Sequence, residues 1–185
     1  MALRDEPVAS WADACVDLVQ ASVGVELDGT PDTLPLLDHY LIGLREEGEG
    51  GEPSAGLVAA VGPAAGAYFG RVVLAHLPGG RWIRPGAADD APDDPSAWAL
   101  ERWRIHWPDV GLALNPFGAA LEALFGEDVA DWGAHLDVPE TDREALAKAL
   151  DAVGPVREQD AHRLAVRYEA LALAVAFLRD RKRIR

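Results

Sequence analysis

Apolar residues recur at three- and four-residue steps through the first quarter of the chain. Val8, Trp11, Cys15, Leu18 and Ala21 mark the buried face of a helix that starts near Pro7 and stops at Gly24. Asp28-Gly29-Thr30-Pro31 is turn chemistry. A second helix over 33–45 then points Leu37, Tyr40, Leu41 and Leu44 inward. Residues 46–53 are acidic and Gly-rich and read as a loop. The helix over 54–77 is apolar on more than one side, which predicts the central position in the fold. Gly62-Pro63 predicts a kink in it or two segments meeting there. Ala64, Ala65, Gly66 and Ala67 would let a neighbour approach closely.

The period then changes. Pro78-Gly79-Gly80 turns the chain into a strand over 81–84, and residues 85–95 form an Asp-rich loop. Trp103, Ile105 and Trp107 alternate with Arg104 and His106, the period of a strand with one buried face. Residues 111–114 make a further strand. Asn115-Pro116 opens a helix that covers 118–125. Beyond Gly126, Thr141 and Glu144 have capping-box spacing before a helix that ends at Val153-Gly154-Pro155. The last helix, over 158–182, places Leu164, Tyr168, Leu171, Val175 and Leu178 in a two-heptad seam. The elements add up to an α+β fold. N-terminal helices pack on a small antiparallel sheet, and a C-terminal helical pair follows. The expected division is an α+β core over 1–127 and a helical extension over 128–185 packed on it.

Composition narrows the function classes. The 185 residues carry a net charge of −14, which argues against binding nucleic acid by counterion release. Residues 1–60 hold twelve acidic side chains against Arg4 and Arg45. The single cysteine, Cys15, excludes an intramolecular disulfide and reads as an inert thiol on an apolar helix face. No charged n-region leads into an apolar segment at the start, and no uninterrupted apolar run reaches the roughly 18 residues of a membrane span. These features predict a cytoplasmic protein with no membrane partner. The Ala, Gly, Pro, Arg and Asp bias resembles that of a high-GC bacterial genome.

Four segments form an ordered series: residues 28–41, Ala67-Tyr68-Phe69-Gly70, Gly79-Gly80-Arg81-Trp82 and Asn115-Pro116-Phe117. Over 25–120 the series resembles a loose group of uncharacterised bacterial α+β domains. In these a helix of Leu-Asp, Ser-Leu and Asp-Leu pattern precedes a Tyr-x-Gly helix and a Gly-x-Trp strand. The chain departs from the group at Gly29 and Thr33, in place of Tyr and Ser, and at Arg71, in place of an acid. The resemblance implies a fold and carries no activity. Some relatives sit beside secretion and toxin systems, which points toward a binding role.

Candidate chemistry is sparse. Asp38 and His39, with Glu26 and Asp28, are the densest carboxylate-imidazole cluster and the pair a small hydrolase would use. The five histidines include no His-Glu-x-x-His. Glu158 with His162 and Asp131 with His135 have i,i+4 spacing, which supplies two ligands where a structural zinc site takes four, so no metal and no cofactor are expected. Trp98, Arg102, Trp103, Arg104 and Trp107 interleave the residues that anchor protein partners, against the alternative that the tryptophans line the core. The seam residues Leu164, Tyr168, Leu171, Val175 and Leu178 are the expected contacts of a homodimer, and Leu173 and Phe177 widen the apolar surface enough for two faces. The leading expectation is a non-enzymatic acidic binding protein whose target is another protein, a basic one, such as an effector, toxin or secretion component. The alternatives are a hydrolase built on Asp38 and His39 and a structural subunit assembled through the last helix.

Overall fold

The computed structural model describes residues 6–83, 103–128 and 132–184. In chain order these form α1 (Glu6–Val23), α2 (Leu34–Glu46), α3 (Ala55–His76), β1 (Arg81–Ile83), β2 (Arg104–Trp107), β3 (Leu112–Leu114), α4 (Pro116–Phe125), α5 (Glu140–Asp151) and α6 (Leu164–Ile184). The strands make an antiparallel sheet in the order β1-β2-β3, with Trp82 opposite Ile105 and Ile105 opposite Leu114. This is the expected α+β architecture, with α5 and α6 as the C-terminal pair.

Side-chain size explains why α3 is central. Its segment Ala64–Gly70 is wholly buried, and it packs against both α1 and α4. At Gly66 a Cβ would lie 2.6 Å from Phe117 Cδ1 and 2.7 Å from the Phe117 Cα. At Gly70 it would run into the Trp82 ring. These two glycines let α4 and β1 press directly on the α3 backbone. Phe117 is then the hub of the aromatic core. It meets Trp11 edge-on at 6.1 Å and Trp82 at 5.7 Å, and Trp82 meets Trp103 edge-on at 6.0 Å. Asn115 fixes Phe117 by capping α4, its side chain accepting the Phe117 N–H at 3.0 Å.

A second junction ties the loop before α2 to α3. The Tyr68 hydroxyl accepts the Gly29 N–H at 2.9 Å and lies 2.9 Å from the Thr33 hydroxyl. Asp28 accepts from the Thr30 N–H at 2.8 Å and from the Thr30 and Thr33 hydroxyls.

Several local expectations are corrected. α3 is one continuous helix through Gly62-Pro63, so the alternative of two segments meeting there is set aside. Ala59, whose carbonyl loses its i+4 donor at Pro63, is exposed, so water can take that donor's place. α5 starts at Glu140 with Pro139 as its N-cap, so Thr141 lies inside the helix and the capping box does not form. Thr141 instead donates to Asp142, which is held by Arg181 at 2.9 Å. Residues Glu158–Asp160 make a separate 3-10 turn, and α6 starts later than expected, at Leu164. The basic end of α6 reaches other elements. Arg179 donates to Asp109 at 2.8 Å and to the Pro78 carbonyl, and Lys182 donates to the Asp109 carbonyl. By length and composition α3 could cross a membrane, yet 61% of that stretch is buried inside the fold, as in a core helix.

Residues 128–185 share the core of residues 1–127. Leu146, Leu164, Leu171, Ala174, Val175 and Leu178 belong to the same buried cluster as Leu34, Phe69 and Phe117. α6 packs on α2 and α4 as well as on α5.

Trp107 is fully buried and donates its indole N–H to the Leu77 carbonyl at 3.3 Å, whereas Trp82 is half-buried. Trp107→Ala is therefore expected to cost about 3–5 kcal/mol and Trp82→Ala less. Gly66→Ala should cost about 1–3 kcal/mol by overpacking against Phe117. Thermal unfolding checks the order. A melting temperature for Gly66→Ala at or above that of the parent chain would contradict the close approach.

Candidate functional site

The structure separates Asp38 from His39. Asp38 is 3% exposed, while His39 points to solvent on the next position of α2. Both Asp38 carboxylate oxygens are engaged. One accepts the Leu164 N–H at 2.7 Å and the other the Ala165 N–H at 3.0 Å. These are first-turn donors of α6, which no carbonyl inside the helix can satisfy. Asp38 is thus a tertiary cap for a helix that starts 126 residues further along. The Asp38–His39 pair does not converge on a cleft, and the arrangement expected for a hydrolase is corrected on that geometry.

The Trp and Arg residues expected on a partner surface divide by the pleat. Trp103 and Trp107 are 6% and 0% exposed and face the core with Ile105. Arg104 is half-buried on the other face and donates to the Trp103 carbonyl at 3.0 Å. Trp98 and Arg102 lie outside the described residues. Trp103 and Trp107 are therefore core anchors, because a three-stranded sheet under α3 and α4 needs large side chains to fill its inner face.

The expected dimer seam also turns inward. Leu164, Leu171, Val175 and Leu178 are at most 2% exposed and Tyr168 is half-buried. With α2, α4 and α5 packed on α6, these side chains are spent inside the chain and do not face a second copy. Cys15 is buried in α1, and burial pushes its thiol pKa up to about 12 despite the charge of Arg71. Glu158 and His162 lie on the connection before α6, and Asp131 is outside the described residues. Among the described residues no three His, Cys, Asp or Glu side chains gather as a metal cage.

A surface the sequence reading did not single out lies between α5 and α6. Leu150, Val153, Pro155, Val156 and Ala161 form one wall, and Val166, Ala170 and Leu173 of α6 form the other. They enclose a groove of about 520 Å³. Val153 is 66% exposed, Val156 55% and Leu173 42%. Its charged lining residues are Asp151, Arg167 and Glu169. Arg167 is already committed to the fully buried Glu122 and to the Ala134 carbonyl. That leaves Asp151 and Glu169 as the charges the groove offers. The other side of the same connection, with Arg157, Glu158, Gln159 and His162, meets Glu127 and Asp128 in a polar cleft of about 640 Å³. The sequence signal for the groove was the i, i+4, i+7 spacing of Val166, Ala170 and Leu173 beside two valines flanking Gly154-Pro155.

Burial raises the Asp38 pKa, and its two N–H bonds and the charges of Arg163 and Arg167 oppose the rise. Asp28 is exposed and shifts the other way, chiefly through the Thr30 hydroxyl and N–H. A raised carboxyl takes up its proton in the folded chain first, so its stabilising share is present below the unfolded pKa and lost as pH rises. A lowered one contributes above the unfolded pKa and loses that share as pH falls. Lowering the pH from about 7 to about 3 should therefore raise parent stability relative to Asp38→Asn and lower it relative to Asp28→Asn. Denaturant midpoints of the three proteins check the signs, and parallel shifts for both variants would contradict them. No protein-family model matches the chain, and neither the comparison with curated proteins nor that with solved structures finds a match.

Proposed function

We propose that this chain is a non-enzymatic binding protein whose target is another, basic protein, and that the groove between α5 and α6 is where that protein docks. The observation that carries the reading is the exposure of Val153, Val156 and Leu173 around one apolar concavity. Scattered exposed apolar side chains are ordinary, but a contiguous concave set is a recognition feature.

The energetics require a partner that brings apolar surface of its own. Covering the exposed parts of these three side chains contributes on the order of 3 kcal/mol. Association costs roughly 4–15 kcal/mol in lost freedom. The difference has to come from apolar side chains inserted into the groove.

Charge supports a basic partner. Beside the paired Arg167, the charges that line the groove are Asp151 and Glu169. Like charge disfavours a second copy, and opposite charge speeds the approach of a cationic surface.

A photo-crosslinking residue placed at Leu173 tests the reading, with the exposed Asp17 of α1 as the control position. In extract of the native host, Leu173 is expected to yield adducts with a different, basic protein that Asp17 does not. Their yield should fall severalfold between about 0.05 and about 0.5 M salt as screening shortens the reach of the charges. Identical adducts at both positions, self-adducts only, or no adduct would overturn it.

A further inference from the structure

The groove's shape specifies the partner's recognition element more narrowly, on the reading that a basic protein docks there. We infer that it receives an amphipathic helix whose apolar side chains lie at i, i+3 or i+4 and i+7 and whose flanks carry Lys or Arg.

Length gives the first argument. Val166, Ala170 and Leu173 span seven residue steps of α6, so the helical wall is about 10 Å long. That equals the rise between i and i+7 of a partner helix, two turns. Ala170 stands between the two larger side chains and lets a partner helix approach closely there.

Backbone availability gives the second. An extended peptide docks by adding a strand to a free sheet edge, and this groove is walled by a helix and a turn instead. Two of the turn's donors are already used within it. Val153 N–H bonds to the Leu150 carbonyl at 3.1 Å and Gly154 N–H to the Asp151 carbonyl at 3.3 Å. Recognition therefore rests on side chains, which is how a helix in a groove is read.

Charge gives the third. Asp151 belongs to the α5 end and Glu169 to α6, so each side of the groove carries one acid. A helix lying between them with cations on both flanks meets each acid with one flank. With the Arg167 charge held by Glu122, that wall presents no competing free cation.

The experiment uses the full chain and two synthetic helical peptides. Both share one apolar stripe of Leu at i, i+4 and i+7. One carries Lys and Arg on its flanks and its twin carries Glu. Calorimetric titration is expected to show the basic peptide binding at least tenfold more tightly than the twin. Leu173→Asp should weaken the basic peptide at least tenfold. Leu173 is 42% exposed, so a circular dichroism melt of that variant should match the parent and separate lost docking from lost folding. Asp151→Asn with Glu169→Gln should cut the preference for the basic peptide to threefold or less. Equal binding of the two peptides, binding indifferent to Leu173→Asp, or a dimer by light scattering at micromolar concentration would overturn the inference. A failed titration alongside a specific, salt-sensitive adduct at Leu173 would sink the helix assignment and leave the docking groove standing.

Discussion

The arrangement of this chain hangs on one carboxylate. Asp38 sits on α2, is buried, and accepts the first two N–H groups of α6. Those donors would otherwise be desolvated without partners, which costs about 1–3 kcal/mol each in a buried setting. The same contact sets where α6 begins and which way it is turned. With Leu164 held at Asp38, the stripe Leu164, Leu171, Val175 and Leu178 falls on the core. The opposite stripe, Val166, Ala170 and Leu173, is left to form the groove with the connection from α5. The Glu122–Arg167 pair and the Arg179, Arg181 and Lys182 contacts hold the same orientation further along the helix.

Much of the fold was legible because its signals are local. Asn115-Pro116 announces α4, Pro78-Gly79-Gly80 ends α3 before β1, and the alternation at 103, 105 and 107 gives β2 and its inner face. Gly66 was readable as a small residue, though not as the seat of Phe117, and the role of Gly70 under Trp82 was not read. Propensity also placed Asn115 correctly as a cap and Thr141 wrongly as one. Arg181 explains the second case, since it fixes Asp142 and brings that end of α5 against α6.

The candidate site was less legible because it depends on partners far apart in sequence. Asp38 and His39 are adjacent in the chain, and adjacency suggested a dyad. One helical step of about 100° instead sends one side chain into the core and the other to water. The apolar stripes of α6 look alike in sequence. The carboxylate on α2, together with the Glu122–Arg167 pair, sets which is inward. Trp103 and Trp107 carry the chemistry of interface anchors, and the need to fill the sheet's inner face claims them for the core. The surface left over is a smaller, aliphatic one beside two acids.

Amide hydrogen exchange at Leu164 and Ala165 measures the Asp38 contact most directly. First-turn amides have no partner within their own helix and ordinarily exchange early. Capped by a buried carboxylate, these two are expected to exchange only with global unfolding, at rates like those of Val175 and Leu178 in the buried middle of α6. Exchange as fast as that of Thr141, in the exposed first turn of α5, would contradict the account.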